Sequence, residues 1–210
     1  EAPRSSTANF CTPGHMLLQL LKRTCRLFTQ HGSGGSSLVP NPDVVTQQLS
    51  ILFDHAHTAH RSSALAEALH AYESALRLIP DAHTHMRAAA LVNLGVVCRD
   101  MVSMHRAILC LREALTLEPT LAAAHYNLGL TLYEIGETEA AESSLDSAIV
   151  IQPDFQAAHS TRLCIYGLAR SHDPARVLLE HRRWAEKFAD PLTKNAYPLR
   201  RRQSIEHRLT

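Results

Sequence analysis

The chain has 210 residues, a net charge of +1 and 45% hydrophobic residues, which suits one folded domain or a short repeat array. Its charge is uneven, since residues 49–190 carry twelve Lys or Arg against seventeen Asp or Glu. An acidic body disfavours a nucleic-acid-binding domain, and the lack of any apolar run near about 18 residues disfavours a membrane-spanning protein.

Residues 1–48 are predicted to form an irregular N-terminal region. Apolar residues with helical spacing predict one amphipathic helix over residues 16–28, and the Gly- and Ser-rich run that follows predicts a flexible linker. Because residues 2–42 contain no acid, this region could be an organelle-targeting peptide. The favoured alternative is a capping helix or a degenerate earlier repeat.

Two stretches, 88–121 and 122–155, align without a gap at a period of 34 residues. The matching pairs are Asn93 and Asn127, Leu94 and Leu128, Gly95 and Gly129, Ala107 and Ala141, Leu111 and Leu145, Ala114 and Ala148, and Pro119 and Pro153. Apolar residues recur three and four apart, so each copy is predicted to form two antiparallel helices. Gly136 is predicted to end a first helix at positive φ, and Thr120 to cap the helix that follows it.

Weaker copies flank these two, at 49–82 and at 156–190, and an insertion, His83 to Arg87, follows the earlier one. The last copy lacks the closing proline, and its final helix is predicted to begin after Asp173 as N-cap with Pro174 in the first turn. Small residues fall where paired helices would cross. The array is therefore predicted to span 49–190, with a basic tail at 191–210.

Over residues 49 to about 187 the chain resembles the tetratricopeptide-repeat family. The resemblance implies an all-α fold, a right-handed superhelix (α-solenoid) of three to four helix pairs. It also implies a protein or peptide as the partner. With the charge distribution and the apolar runs described above, we expect no cofactor, no nucleic acid and no membrane. The oligomeric state is left open.

A narrower resemblance covers Ala157 to Leu192. This run is similar to the last repeat and exit helix of SPINDLY-like protein O-linked N-acetylglucosaminyltransferases, and the match is closest from His181 to Glu186 and at Phe188 and Ala189. The catalytic region of that family has no counterpart in these residues. The resemblance therefore implies a substrate-recruiting arm without a catalytic site of its own. The alternative is a stand-alone scaffold with no attached enzyme.

In such superhelices the first helix of each pair lines a concave groove, and Asn93 and Asn127 match asparagines that contact bound peptide backbone. The resemblance implies a peptide-binding groove formed by Val92, Asn93, Val96, Arg99, Tyr126, Asn127, Leu130, Tyr133 and Glu134. Amides can donate to and accept from a peptide backbone, and tyrosine combines an apolar face with a polar tip. The alternative is that these residues form an ordinary solvated surface.

Other chemistry finds little support in the sequence. The five cysteines include no CxxC pair, which predicts free thiols in a reducing compartment, the cytoplasm or nucleus. Cys98 and Cys110 are expected to pack as small hydrophobes without a lowered pKa. His57 and His60 could reach one metal ion, but a zinc site needs three or four ligands and no Cys is nearby in sequence, so we expect surface histidines and no metal site. Arg200 to Arg202 are expected to solvate a terminus.

Overall fold

The structure, a computed structural model, describes residues 42–168 and 173–190. Within these ranges the chain forms helices and no strand, so the predicted all-α solenoid is confirmed. The helices are α1 (Pro42–Arg61), α2 (Leu65–Leu78), α3 (Thr84–Asp100), α4 (Met104–Leu117), α5 (Ala122–Glu134), α6 (Thr138–Ile151), α7 (Gln156–Leu168) and α8 (Pro174–Trp184). The amphipathic helix, linker and basic tail predicted at the two ends lie outside the described residues.

The chain divides into two compact units, residues 1–165 and residues 166–210. In the first unit, α1 packs on α2, α3 on α4 and α5 on α6, and the successive pairs are joined by packing of α2 on α3 and of α4 on α5. The first helices α3 and α5 also contact each other. None of the helices in the described ranges has the length and apolar character needed to cross a membrane.

Glycine allows the two best-matching helix pairs to cross closely. A Cβ atom at Gly95 would lie 2.9 Å from Leu111 Cγ, and one at Gly129 would lie 2.8 Å from Leu145 Cγ and 3.1 Å from the Ala141 carbonyl oxygen. Leu111 and Leu145 are fully buried. The leucine of the second helix therefore fills the space that the glycine of the first helix leaves open.

The turn inside each helix pair uses a left-handed residue. Positive φ occurs at Ser63 (63°), Val102 (62°) and Gly136 (85°), which are equivalent positions in three successive copies. The prediction for Gly136 is confirmed, since it lies after α5 with its φ in the region that favours glycine. Val102 adopts the same conformation at the cost of strain, because a β-branched side chain rarely tolerates it.

The insertion before the second copy forms an additional helical turn. Helix α3 begins at Thr84, ahead of the first aligned residue of its copy. Arg87 donates to the carbonyl oxygens of Leu76 (3.3 Å) and Ile79 (3.1 Å) at the end of α2. On the other side, His85 hydrogen-bonds Glu118 at the end of α4.

The structure confirms the N-cap predicted at Asp173 but not the one predicted at Thr120. Asp173 caps α8 as predicted, because its side chain accepts a hydrogen bond from the Ala175 amide at 3.1 Å and Pro174 lies in the first turn. The prediction for Thr120 is wrong. The chain makes a further turn in which the Leu121 amide bonds the Glu118 carbonyl, so Leu121 is the N-cap of α5 and supplies no side-chain bond.

The second unit contains α8, which continues into a π-helical turn at Ala185–Ala189. Arg183 pairs with Glu180 at 2.7 Å on the surface of α8. The rings of Trp184 and Phe188 lie 5.8 Å apart, and the Lys187 amine lies 5.3 Å from the Phe188 ring centre. The final helix predicted to begin after Asp173 is present.

Candidate peptide-binding face

The nine predicted groove residues all lie on the two adjacent helices α3 and α5. Val92 and Val96 differ from the expectation, because they are only 5% and 6% exposed and pack in the core. Helix α3 contacts α2, α4 and α5, so its sides are covered over most of its length. The residues that stay partly or fully accessible are Asn93, Arg99, Tyr126, Asn127, Leu130, Tyr133 and Glu134.

We call the solvent-facing side of the first helices the inner face. It carries His60 on α1, Asn93, Arg99 and Asp100 on α3, and Asn127, Tyr133 and Glu134 on α5.

The two asparagines of the inner face differ in the hydrogen bonds that their side chains make. Asn127 Nδ2 donates to the Ala123 carbonyl oxygen at 2.8 Å, and Asn127 Oδ1 accepts from Arg99 Nη1 at 3.3 Å. Asn93 makes no such side-chain bond in the described part of the chain. Asn93 therefore has its whole amide available to a ligand, whereas Asn127 has one N–H and one lone pair left.

Arg99 lies at the centre of a polar network that joins the first helices. Its guanidinium is 3.3 Å from Asp100 Oδ1 and 3.9 Å from Glu134 Oε1, in addition to the contact with Asn127. Asp100 in turn accepts a hydrogen bond from His60 Nε2 at 2.7 Å. Because His60 and Arg99 are equivalent residues, as are Asp100 and Glu134, the same contact links α1 to α3 and α3 to α5.

The network changes the acidity of Asp100. Burial opposes ionisation of this carboxyl, but the hydrogen bond from His60 and the positive charge of Arg99 outweigh burial and lower the pKa of Asp100. Asp100 therefore stays ionised throughout the neutral range. Its contact with His60 also shows that this histidine is a structural partner rather than the ordinary surface residue expected from the sequence.

The aromatic residues of α5 partly serve packing. The ring of Tyr126 lies 4.9 Å from that of Phe155, in the turn before α7, and both pack against the core. Tyr133 also packs against the core and remains half-buried. Leu130, between them on α5, is half-buried as well. Only part of each of these three side chains is therefore accessible to a ligand.

Two further histidines have a repeated structural role that the sequence analysis missed. His125 Nε2 donates to the Pro119 carbonyl oxygen at 3.0 Å, and His159 Nε2 donates to the Pro153 carbonyl oxygen at 2.9 Å. The two pairs are one repeat apart, so the shared spacing of His and Pro was the signal available. Within the described ranges, no group of three or more potential ligands could hold a metal ion.

The two central cysteines are buried, as expected, but their acidity is not ordinary. The hydrogen bond with Cys110 lowers the pKa of Cys98 to about 7 against the opposing effect of burial, and the charge of Arg106 contributes. The same hydrogen bond, with burial, raises the pKa of Cys110. The expectation of a thiol without a lowered pKa was therefore wrong for Cys98, because it depends on a contact between α3 and α4.

Family models of repeats match the centre of the chain. A TPR repeat model matches residues 105–136, and a tetratricopeptide repeat model matches residues 122–155. No curated protein has a significantly similar sequence. Together these matches cover residues 105–155, which include the second half of the copy at 88–121 and the whole of the copy at 122–155.

Solved structures extend the likeness over most of the array. An O-GlcNAc transferase mutant of Thermobaculum terrenum is 31% identical with a TM-score of 0.64, over 70% of this chain and 28% of that chain. The chain thus spans less than a third of the length of this transferase. MamA from Desulfovibrio magneticus RS-1 is 14% identical with a TM-score of 0.58, over 88% of this chain and 98% of that chain.

A third similar structure is the first TPR domain of Spaghetti (RPAP3) bound to an HSP90 peptide. It is 15% identical with a TM-score of 0.51, over 58% of this chain and 92% of that chain. At such identity, this structure and MamA show the fold alone. Together with the helix pairs and the 34-residue period, these findings identify the chain as one that contains tetratricopeptide repeats in an all-α solenoid.

Proposed function

We propose that the inner face binds an extended peptide segment of a partner protein. Tetratricopeptide repeats are in general modules for protein–protein interaction. The observation that carries the proposal is the continuous polar strip along α3 and α5, in which Asn93 keeps its amide free and Asn127 keeps part of it. An amide can donate to and accept from one peptide unit at once, so it binds backbone without requiring a particular side chain.

The same face could belong to a larger enzyme. We propose that this array is the substrate-recruiting arm of a protein O-GlcNAc transferase-like enzyme. Support comes from the 31% identity with the Thermobaculum terrenum transferase over 70% of this chain and from the exit-helix residues His181 to Glu186. The proposed role of the array is to hold the acceptor protein, while sugar transfer takes place in another part of the larger protein.

Peptide binding is tested by panning a displayed library of short random linear peptides on the purified chain. Asn93→Ala combined with Asn127→Ala should reduce capture of the selected peptides at least tenfold without loss of helical content. The matched control is Ser143→Ala with Ser147→Ala on α6, which should leave capture unchanged. Equal capture by the wild type and the asparagine variant would show that the inner face is not the site.

The transferase assignment is tested by the size of the protein in its source cells, using an antibody raised against residues 88–155. A product several hundred residues larger, with sugar-transfer activity in the immunoprecipitate, is the expected result. A product of 23.3 kDa without that activity would favour the stand-alone scaffold. Peptide binding could still hold in that case, so the two proposals fail separately.

A further inference from the structure

The charged residues of the inner face differ in how far they reach solvent. The side chains of His60 and Arg99 are 15% and 14% exposed, whereas those of Asp100 and Glu134 are 35% and 42% exposed. The two hydrogen-bond donors are recessed and the two carboxylates protrude. A ligand that approaches this face therefore meets negative charge first.

Both carboxylates also keep capacity for a further partner. The separation between Arg99 and Glu134, 3.9 Å, lies well beyond the roughly 2.7–2.9 Å of a strong charge-assisted hydrogen bond. Asp100 is 3.3 Å from the same guanidinium, and only its contact with His60 is short. An ionised carboxylate can accept about four hydrogen bonds, so neither group is saturated.

The balance of charge on the inner face also favours a basic group on the ligand. Arg99 carries one positive charge between the two negative charges of Asp100 and Glu134, so these three side chains together carry a net negative charge. One basic side chain from a ligand would neutralise it. An acidic side chain would instead face two carboxylates and a guanidinium that already has three acceptors, which is unfavourable.

We infer that the segment bound on the inner face carries a Lys or Arg side chain that pairs with Asp100 and Glu134, while Asn93 bonds the ligand backbone. This inference rests on the proposed function and specifies the chemistry of the bound segment. Helices α3 and α5 are in direct contact, and the Arg99 guanidinium lies between the two carboxylates, 3.3 Å from Asp100 and 3.9 Å from Glu134. The two carboxylates therefore flank one position on the inner face.

The test compares three forms of the full chain in the same library selection, with the peptides sequenced afterwards. They are the wild type, the neutral variant Asp100→Asn with Glu134→Gln, and a matched control, Glu139→Gln with Glu142→Gln, on α6. Each double variant removes two negative charges and keeps side-chain shape. We expect peptides selected on the wild type and on the control to be enriched in Lys or Arg at one position. On the inner-face variant this enrichment should fall at least fivefold.

The outcomes distinguish the inference of a basic ligand side chain from the proposed peptide binding on which it rests. Peptides that depend on Asn93 but show no basic preference would overturn the inference and leave the proposed function standing. Equal loss of basic preference in the control variant would also overturn it, because net charge rather than this cluster would then select the ligand. Selected peptides that ignore both the asparagines and the carboxylates would contradict the proposed function itself.

Discussion

Val102 and Gly136 occupy equivalent positions in successive repeats and share a left-handed backbone, with φ of 62° and 85°. Glycine adopts this conformation freely, whereas an L residue with a branched Cβ is strained by about 1–2 kcal/mol. The Val102 side chain is 77% exposed, so packing contributes little to offset that strain. The turn between α3 and α4 is therefore a local weakness in an otherwise well-packed pair.

We expect Val102→Gly to raise the free energy of unfolding by about 1 kcal/mol, after allowance for the greater freedom of glycine in the unfolded chain. Urea denaturation followed by circular dichroism measures the change. Val150→Gly is the matched control, because Val150 is 79% exposed but lies within α6, where the same substitution should destabilise. Destabilisation by Val102→Gly would show that the turn is not strained.

Gly129→Ala should lower the free energy of unfolding by about 1–3 kcal/mol, as overpacking of a close helix crossing does. The added Cβ would lie 2.8 Å from Leu145 Cγ and 3.1 Å from a backbone oxygen, and the backbone cannot move aside cheaply. Gly167→Ala is the control, since a Cβ there meets nothing within 4 Å and alanine favours the helix. Similar effects of the two substitutions in urea denaturation would argue against the close crossing.

The lowered pKa of Asp100 links stability to pH. The carboxyl has a lower pKa in the folded chain than its value of about 3.9 in the unfolded chain, so its contribution is complete above that value. The contribution is lost as pH falls through the folded pKa. Because the group is partly exposed, we expect an effect of about 1 kcal/mol or less.

Asp100→Asn keeps an acceptor for His60 and removes the charge. The wild type should exceed this variant in stability at neutral pH, and the difference should vanish in acid. Paired denaturation curves at several pH values between neutral and strongly acidic test this. A difference that is constant with pH would mean that the ionised form of Asp100 does not stabilise the fold.

Cys110→Ala should raise the pKa of Cys98 from about 7 towards the ordinary value of about 8.5. The substitution removes the hydrogen bond that is the main cause of the lowering, so burial then opposes the thiolate against the charge of Arg106 alone. Thiolate absorbance during a pH titration reports the change when Cys11, Cys25 and Cys164 are replaced by serine. An unaltered titration would exclude the contact between the two thiols as its cause.

The 34-residue period was sufficient to predict the helix pairs, because each signature residue has one packing role that repeats. Gly95 and Gly129 are small in both copies since a leucine of the next helix fills the same space. The groove was harder to predict. Repeat register places Val92 and Val96 on the first helix, but their burial depends on how closely the neighbouring helices pack against α3, which is a tertiary property.

The polar network was missed for a related reason. His60 and Asp100 are 40 residues apart and Arg99 and Glu134 are 35 apart, and neither pair signals contact within a local window of sequence. The relation becomes visible only when equivalent positions in successive repeats are compared. The lowered pKa of Cys98 likewise depends on Cys110 from the next helix, and its sequence context gives no indication of it.

The additional turn at the start of α3 has a consequence for how such chains can change length. It lies ahead of the first aligned residue of its copy, and Arg87 and His85 anchor it to the ends of the two flanking helices. Every residue after it keeps its partner across the helix pair. The connections between copies can therefore gain whole helical turns during evolution while each residue keeps its packing partner within its own copy. An insertion between Gly95 and Leu111 would instead displace residues that pack against each other across the helix pair.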